Sequence, residues 1–346
     1  MKKKVLHVLN CNNFGGAERV VLSLIKLMSA DYEMAFAAPM GPFEDVLKKE
    51  NIQFIPMKSC SPKNIRRVVK SWNPDMIHAH DFRASVFSAF SFTGVPVVSH
   101  LHTSNRWMRK FSVNSLVYVT ALPKLKKIIS VSNALVREMS FSRFMKNKLR
   151  VIPNIIDVEQ IILKANSCNN NQEHDVAFIG RLSPEKDPLK FIRIVSKLQK
   201  LNSQINAVMV GDGPLMRTCE ELVKELKLEN NITLVGYQTN PYPYLKNTKM
   251  LLVTSSYEAY PLVVLESFAL GKPVLATPVG GLVDNIDQSC GFLCSTDEEF
   301  VEKIIHLLND IAFHHYLSDG AIKRSGIINN KDLYIREIKE IYSEAG

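Results

Sequence analysis

Met250-Leu251-Leu252-Val253-Thr254-Ser255-Ser256-Tyr257-Glu258-Ala259-Tyr260-Pro261-Leu262-Val263-Val264-Leu265-Glu266-Ser267-Phe268-Ala269-Leu270-Gly271-Lys272-Pro273-Val274-Leu275-Ala276-Thr277 is the stretch from which the fold of this chain can be read. Residues 250–254 are a short apolar run that ends in turn residues. Residues 262–270 carry helical spacing behind a proline, and residues 274–277 are a second apolar run. Strand, helix and strand in that order predict a parallel β-α-β unit. The same rhythm extends outward. Upstream, residues 176–180, 207–210 and 232–235 read as strands and 188–201 and 214–226 as helices; downstream, 300–308 is a helix. The first half repeats the scheme. Its strands are 5–9, 34–38, 53–56, 76–79, 97–101 and 127–131, and its helices 17–28, 43–50, 63–71 and 85–92. The rhythm pauses at 158–175, where the polar run 167–172 is a candidate linker. The fold class is therefore α/β, with two doubly wound, Rossmann-like halves. The expected domains are residues 1–157 and 158–330. Residues 331–346 form a last helix, with Leu333, Tyr334, Ile338, Ile341 and Tyr342 at helical spacing, that either finishes the second domain or crosses back onto the first.

Composition narrows the class. With 346 residues, 46% hydrophobic and 22% charged, the chain can build large cores, which excludes disorder, collagen and coiled coil as the main architecture. None of its 6 cysteines forms a C-x-x-C pair, and Cys290 and Cys294 face no second pair. That argues against a zinc site or a disulfide scaffold and fits a reducing cytoplasm. The charged start Lys2-Lys3-Lys4 is followed by too short an apolar run for a signal peptide. The longest uncharged stretch, 84–105, is broken by Thr93-Gly94-Val95-Pro96, so no membrane-spanning helix is expected. The net charge of +9 is uneven: residues 1–165 hold 25 Lys/Arg against 11 Asp/Glu, and 166–346 hold 18 against 23. The first half wants an anionic partner.

Several loops sit where a doubly wound sheet binds ligands, after a strand and before a helix. Asn12-Asn13-Phe14-Gly15-Gly16-Ala17-Glu18-Arg19 offers glycines and a helix start to an anion. A tight turn is its plain alternative, and it lacks the third glycine of a dinucleotide fingerprint. Gly211-Asp212-Gly213 follows residues 207–210, but Met216 ends the same resemblance. Arg181 and Lys186 bracket a loop after 176–180, two cations suited to a pyrophosphate. Glu258 lies just past a strand and Glu266 a turn into the next helix. A carboxylate suits polyol hydroxyls, and the N–H groups between the two suit phosphate. His78 and His80, and His100 and His102, alternate along two strands. A metal could use such spacing, yet no third ligand is indicated nearby. His102, at the strand end, is expected to line the ligand cleft.

In this order the motifs resemble family 4 of the retaining, nucleotide-sugar-dependent glycosyltransferases of the GT-B fold. The match runs through Gly15-Gly16-Ala17-Glu18, Ser99-His100-Leu101-His102-Thr103, Val131-Ser132-Asn133, Ile152-Pro153-Asn154 with Asp157, and Gly180-Arg181-Leu182 with Glu185-Lys186. It continues through Gly211-Asp212-Gly213, the E-x7-E pair Glu258 and Glu266, Gly271-Lys272-Pro273-Val274 and Gly280-Gly281. The resemblance implies two Rossmann-like domains facing across a cleft, acceptor on the first and a UDP- or GDP-sugar on the second. Arg181 and Lys186 would hold the diphosphate. Glu258 would contact hydroxyls of the donor sugar, together with backbone N–H groups in the donor-binding segment Tyr260, Pro261, Leu262 and Val263, where Pro261 itself has no N–H to give, and Glu266 would bind ribose. Gly15, Gly16, Gly211 and Gly213 would approach the donor, and His102 would line the reaction centre. No metal or other cofactor is implied, and no D-x-D motif supplies a magnesium site. The chain departs from the family at Ala259-Tyr260, where Gly-Phe is usual, and at Ile155, where glycine is usual.

The resemblance places the basic half on the acceptor side. Residues 104–150 hold 11 Lys/Arg and one acid, Glu138, with Trp107, Phe111, Val113, Leu116, Val117, Tyr118 and Leu122 among them. That mixture suits an anionic membrane surface and a lipid-linked acceptor, so the expected place is the cytoplasm, peripheral on the membrane's cytoplasmic face. A solvated basic face is the plain alternative. A nucleic-acid binder would leave Glu258 and Glu266 idle and has no recognition motif here. A GT-B epimerase would turn over a nucleotide sugar without acceptor, and a sugar-binding protein would not turn it over at all.

Overall fold

The computed structural model describes residues 2–10, 15–41, 44–103, 106–167 and 172–346, Arg106 by its backbone alone. The chain divides into two compact units, Met1–Ile155 with Asn330–Gly346, and Ile156–Asn329.

The first unit is built on β1 (Lys3–Leu9), β2 (Tyr32–Pro39), β3 (Gln53–Met57), β4 (Met76–His80), β5 (Val97–Leu101), β6 (Leu125–Ser130) and β7 (Leu149–Val151). They form one parallel sheet in the order β3-β2-β1-β4-β5-β6-β7. Every residue of β4 and β5 is buried, as expected of central parallel strands covered by helices on both faces. The chain winds outward from β1 to β3, then returns to lay β4 on the other side of β1. This reversal is a topological switch point, where the strand ends leave a crevice.

One face of the sheet carries Val5, Leu9, Met76, Val98 and Ile129. They pack against Val21, Leu24 and Ile25 of the helix Gly16–Met28 and against Tyr334, Ile338, Ile341 and Tyr342 of the last helix, Lys331–Ala345. The last helix thus belongs to the first unit. Burying such side chains contributes about 1.5–3 kcal/mol each. Ion pairs fasten its polar edge: Arg150 reaches Glu340 at 2.8 Å and Glu344 at 2.9 Å, and Lys127 also pairs with Glu344. Leu333, expected on the apolar face, is 42% exposed and stays outside the core.

The second unit repeats the design with β8 (His174–Ile179), β9 (Ala207–Val210), β10 (Ile232–Leu234), β11 (Thr248–Val253), β12 (Val274–Ala276) and β13 (Gly291–Leu293), in the order β10-β9-β8-β11-β12-β13. All pairs are again parallel, and the switch point lies between β8 and β11. Helix starts follow local chemistry. Asp187 accepts from the Lys190 N–H at 3.1 Å and precedes Pro188, which opens the helix Pro188–Leu201. A capping acid and a proline at the first helical position both favour that start.

Some elements differ from the sequence reading. The pause expected at 158–175 holds the helix Val158–Ala165, capped by Asp157. The chain passes between units at Ile155–Ile156 rather than in the polar run 167–172, of which 168–171 lie outside the described residues. The helix expected at 85–92 is Phe82–Ala89, started earlier by Asp81, whose carboxylate accepts from the Ala84 N–H at 2.8 Å. Val113–Ala121, Asn133–Glu138, Tyr242–Lys246 and Ile311–Ile328 are helices the periodicity did not reveal. Cys60, Cys219, Cys290 and Cys294 are free and buried; Cys11 and Cys168 lie outside the described residues.

Candidate active site

In the second unit the switch-point strands bring the sequence-selected residues together. The loop after β8 holds Arg181 and Lys186, and the loop after β11 holds Glu258. The Lys186 ammonium forms an ion pair with Glu258 Oε1, which also accepts from Ser255 Oγ at 2.8 Å. Glu258 is 7% exposed. Its Oε2 has no hydrogen bond among the described residues. Backbone bonds lock the two loops: the Ser256 N–H donates to the Glu185 carbonyl at 2.9 Å, and Thr254 Oγ1 to the Asp187 carbonyl at 2.9 Å. Lys186 therefore sits in a partly buried pair, where attraction and hydrogen bonding exceed those of a surface pair. Arg181 is exposed, with no ion pair to a described residue.

The helix Leu262–Ala269 begins at Pro261, whose backbone is extended and which supplies no side-chain cap. The N–H groups of Leu262 and Val263 thus lack a capping side chain, the condition in which a helix start accepts an anion. Burial raises the Tyr260 phenol to about 12, so it stays protonated. Glu266 lies one helical turn deeper, 5% exposed, and accepts from the Tyr242 hydroxyl at 3.0 Å.

The glycines of this unit have packing reasons of their own. Gly280 has a φ of +51°, and a Cβ there would lie 1.8 Å from the Glu258 carbonyl oxygen. The Gly281 N–H donates to that oxygen at 2.9 Å. Gly280-Gly281 is thus the floor under the Glu258 loop. A Cβ on Gly211 would lie 1.9 Å from the Gly180 carbonyl oxygen, and one on Gly213 2.4 Å from that of Leu182. Gly211 and Gly213, expected to approach the donor, also have a packing reason: they let the loops after β8 and β9 zip together.

In the first unit Gly15 precedes the helix Gly16–Met28, and its N–H donates to Glu18 Oε2 at 2.8 Å, half of a capping box. Residues 12–14 of this motif lie outside the described residues. At the neighbouring strand ends the register pairs His7 with His78 and His80 with His100. Adjacent residues of a parallel sheet share a face, so His7, His78, His80, His100 and His102 gather into one buried cluster. This corrects the expectation that His100 and His102 have no third ligand nearby. Nitrogens of His7, His78 and His80, and of His80, His100 and His102, come within 4.8 Å of one another. Strand pairing, invisible in linear spacing, supplies the neighbours. Desolvation lowers every one of these imidazoles, His7 and His102 to about 3. Asp81, which sequence reasoning missed, has a φ of +88° and accepts from the Asn10 N–H at 3.1 Å, tying the ends of β1 and β4. Burial raises its carboxyl to about 6.

The basic stretch resolves into used and open cations. Lys127 and Arg150 pair with the last helix, Arg109 pairs with Glu138 at 3.2 Å, and Lys148 donates to the carbonyls of Leu122 and Leu125. Trp107, Tyr118 and Leu122 turn inward: Tyr118 is fully buried, Leu122 is 7% exposed, and Trp107 packs on Phe82 with ring centroids 4.3 Å apart. Phe111, Val113 and Leu116 stay 63%, 78% and 62% exposed. Residues 104 and 105 lie outside the described residues. Among the described residues no helix is long and apolar enough to cross a membrane.

Two parallel α/β units, with cations, carboxylates and an uncapped helix start at a switch point, define the class of GT-B-type transferases. Residues 14–160 match the family "Glycosyltransferase Family 4", and residues 160–324 match "Glycosyl transferases group 1". The chain belongs to this glycosyltransferase family and is an enzyme of that kind. It is 25% identical over 312 residues to the N-acetylgalactosamine-N,N'-diacetylbacillosaminyl-diphospho-undecaprenol 4-alpha-N-acetylgalactosaminyltransferase of Campylobacter jejuni, covering 82% of this chain and 84% of the relative. It is 23% identical to the UDP-Gal:alpha-D-GlcNAc-diphosphoundecaprenol alpha-1,3-galactosyltransferase of Escherichia coli, covering 99% of this chain and 97% of the relative. The crystal structure of Anabaena Alr3699/HepE in complex with UDP has the same fold, with a TM-score of 0.86, 20% identity and coverage of 99% of this chain and 100% of that one.

Proposed function

We propose that this enzyme moves a hexose or N-acetylhexosamine from a UDP- or GDP-sugar to a lipid-linked acceptor, retaining the anomeric configuration and using no metal, in the synthesis of a cell-surface polysaccharide or glycolipid. The observation that carries this reading is the Lys186–Glu258 pair at the switch point of the second sheet, beside exposed Arg181 and the open start of the helix Leu262–Ala269. Both relatives carry names that describe transfer to a diphospho-undecaprenol-linked sugar, and Alr3699/HepE was crystallised with UDP.

Arg181 and Lys186 hold the diphosphate and neutralise charge as it leaves, which replaces a metal ion. Glu258, turned toward Lys186 by one oxygen, accepts from donor-sugar hydroxyls with the other. Glu266 takes the ribose, and the N–H groups at Leu262 and Val263 assist at the sugar and phosphate. Gly15 and Gly16 approach the diphosphate. His102 lines the reaction centre. The acceptor hydroxyl attacks the anomeric carbon from the side the nucleotide leaves. Its proton passes to the departing phosphate oxygen, and the glycosidic bond and nucleoside diphosphate are the products.

The acceptor is met at the cytoplasmic face of a membrane. The exposed side of the helix Val113–Ala121, with Phe111 beside it, is flanked by Lys110, Lys124 and Arg143, whose guanidinium lies 4.8 Å from the Phe144 ring centre. Apolar residues among cations fit an anionic leaflet.

Thermal-shift binding of UDP, GDP and their sugars identifies the base. With the stabilising sugar nucleotide and a lipid-diphosphate acceptor, Arg181→Ala and Glu258→Gln should each lose about 10²–10³-fold in turnover, the worth of one transition-state electrostatic contact. Wild-type turnover in both variants refutes the site.

A further inference from the structure

The first unit gathers five imidazoles at its own switch point, and three of them form a hydrogen-bonded chain. His7 Nδ1 lies 2.9 Å from His80 Nε2, and His80 Nδ1 lies 2.9 Å from His102 Nε2. All are buried, and burial keeps them uncharged at neutral pH. A neutral imidazole carries one N–H and one lone pair. His80 therefore donates at one end and accepts at the other, and both bonds survive in only two arrangements. In the first, His7 Nδ1–H donates to His80 Nε2, His80 Nδ1–H donates to His102 Nε2, and the His102 proton sits on Nδ1. In the second every bond is reversed, His102 Nδ1 is a bare lone pair, and the proton of His7 sits on Nε2.

The two free ends differ. His7 Nε2 and His102 Nδ1 both lack a partner among the described residues. His7 is fully buried in the middle of β1, whereas His102 is 7% exposed beyond the end of β5. A buried N–H with no acceptor is the costlier orphan. Both free nitrogens are themselves buried, so position separates them: His7 lies within a strand, whereas His102 stands past a strand end at the switch point, where a ligand oxygen can arrive to answer its N–H. From this we infer that His7 and His80 are positioning residues that hold His102 as the Nδ1–H tautomer, so that it presents a hydrogen-bond donor to an oxygen of the donor sugar or its phosphate. This rests on the placement of His102 at the reaction centre proposed above. His78 and His100 wall the chain: the His78 ring lies 4.2 Å from that of His80, and the His100 ring 4.0 Å from that of His102, centre to centre. The His78 ring is itself held by the Tyr342 hydroxyl, 2.8 Å from its Nδ1.

A metal ion is the other use for such a cluster. The 2.9 Å contacts speak for hydrogen bonds, because two nitrogens on one tetrahedral zinc are about 3.3 Å apart at the usual zinc–nitrogen length. A metal on either triad would also take His80 out of the chain.

The test is side-chain nitrogen NMR of the labelled full chain, with UDP and without, beside steady-state kinetics and elemental analysis. Wild-type His102 should report a single Nδ1–H tautomer. His80→Leu should give a mixed or reversed tautomer and lower kcat about tenfold, roughly one hydrogen bond made in the transition state. The same change in a His102→Ala background should lower kcat no further, as expected of a residue acting through another. An Nε2–H or mixed His102 in the wild type overturns the inference without any variant, as does about one equivalent of bound zinc. If wild-type His102 is the Nδ1–H tautomer but His102→Ala turns over unchanged, it is instead the placement of His102 at the reaction centre that is overturned.

Discussion

At the scale of single residues, close approach decides what each position tolerates. Gly280 and Gly326 make the point by contrast. Gly280 has a φ of +51° and no room for a Cβ, while a Cβ on Gly326 would meet nothing within 4 Å. Gly280→Ala should destabilise the enzyme by at least about 1–3 kcal/mol and, because the atom struck is the Glu258 carbonyl, lower turnover as well. Gly326→Ala, inside the helix Ile311–Ile328, should stabilise by about 0.5–1 kcal/mol. Paired melting curves and rates check both; a harmless Gly280→Ala would mean the Glu258 loop is free to move. His100 gives a second contrast. Both its ring nitrogens are buried without a partner among the described residues. Replacing an unsatisfied polar ring with an apolar side chain removes that cost. His100→Leu should therefore leave stability at pH 7 equal or higher, whereas an ordinary core substitution lowers it; a drop above about 2 kcal/mol would show that His100 has a partner.

Among the elements, the helix Val113–Ala121 has the clearest consequence. Ser112 caps it, accepting from the Ser115 N–H at 3.2 Å. Tyr118 and Ala121 anchor its inner side, while Val113, Leu116 and Val117 face outward. An outward apolar edge among cations should bind anionic vesicles and release them as salt rises. Leu116→Asp combined with Val113→Asp should abolish flotation with anionic lipid yet leave binding of the nucleotide sugar intact. Equal flotation of variant and wild type, or none by either, rejects this face. The sequence showed the stretch as basic with interleaved apolar residues, but not which of them point out. Trp107, Tyr118 and Leu122 are as apolar as Leu116, and only packing on Phe82, Ser99 and their neighbours sets them inside. Strongly periodic elements such as Pro188–Leu201 were legible to the residue. Others were not: Gly291–Leu293 is too short to show a period, and in the long helix Ile311–Ile328 polar and apolar residues are spread around all sides, so no amphipathic contrast marks it.

For the molecule as a whole, the doubly wound class and the loops around Glu258 were readable because strand, loop and helix are contiguous there. The histidine cluster was not, because it is assembled by register between β1, β4 and β5, and His7 lies 73 positions from its partner His80. The cluster gives the first unit a pH dependence of definite sign. Unfolded histidine titrates near 6.5, while burial lowers His7 and His102 to about 3 and His78, His80 and His100 well below the ordinary value. The unfolded chain therefore binds more protons just below pH 6.5. The stability these rings contribute is fully present above that pH and falls as the solution is acidified. Each costs about 1 kcal/mol over the first pH unit below 6.5. Asp81 opposes them: its carboxyl is raised to about 6, so the folded state takes up that proton first and gains a little as pH falls. One acid does not offset five histidines. His174 and His314 in the second unit are also lowered by burial and add to the loss. Urea midpoints of the full chain should thus drop steeply between about pH 7 and pH 5.5, and His100→Leu, with one buried imidazole fewer, should drop less. A midpoint indifferent to pH across this window, or a variant that follows the wild-type slope, would mean that the cluster is hydrated or charged.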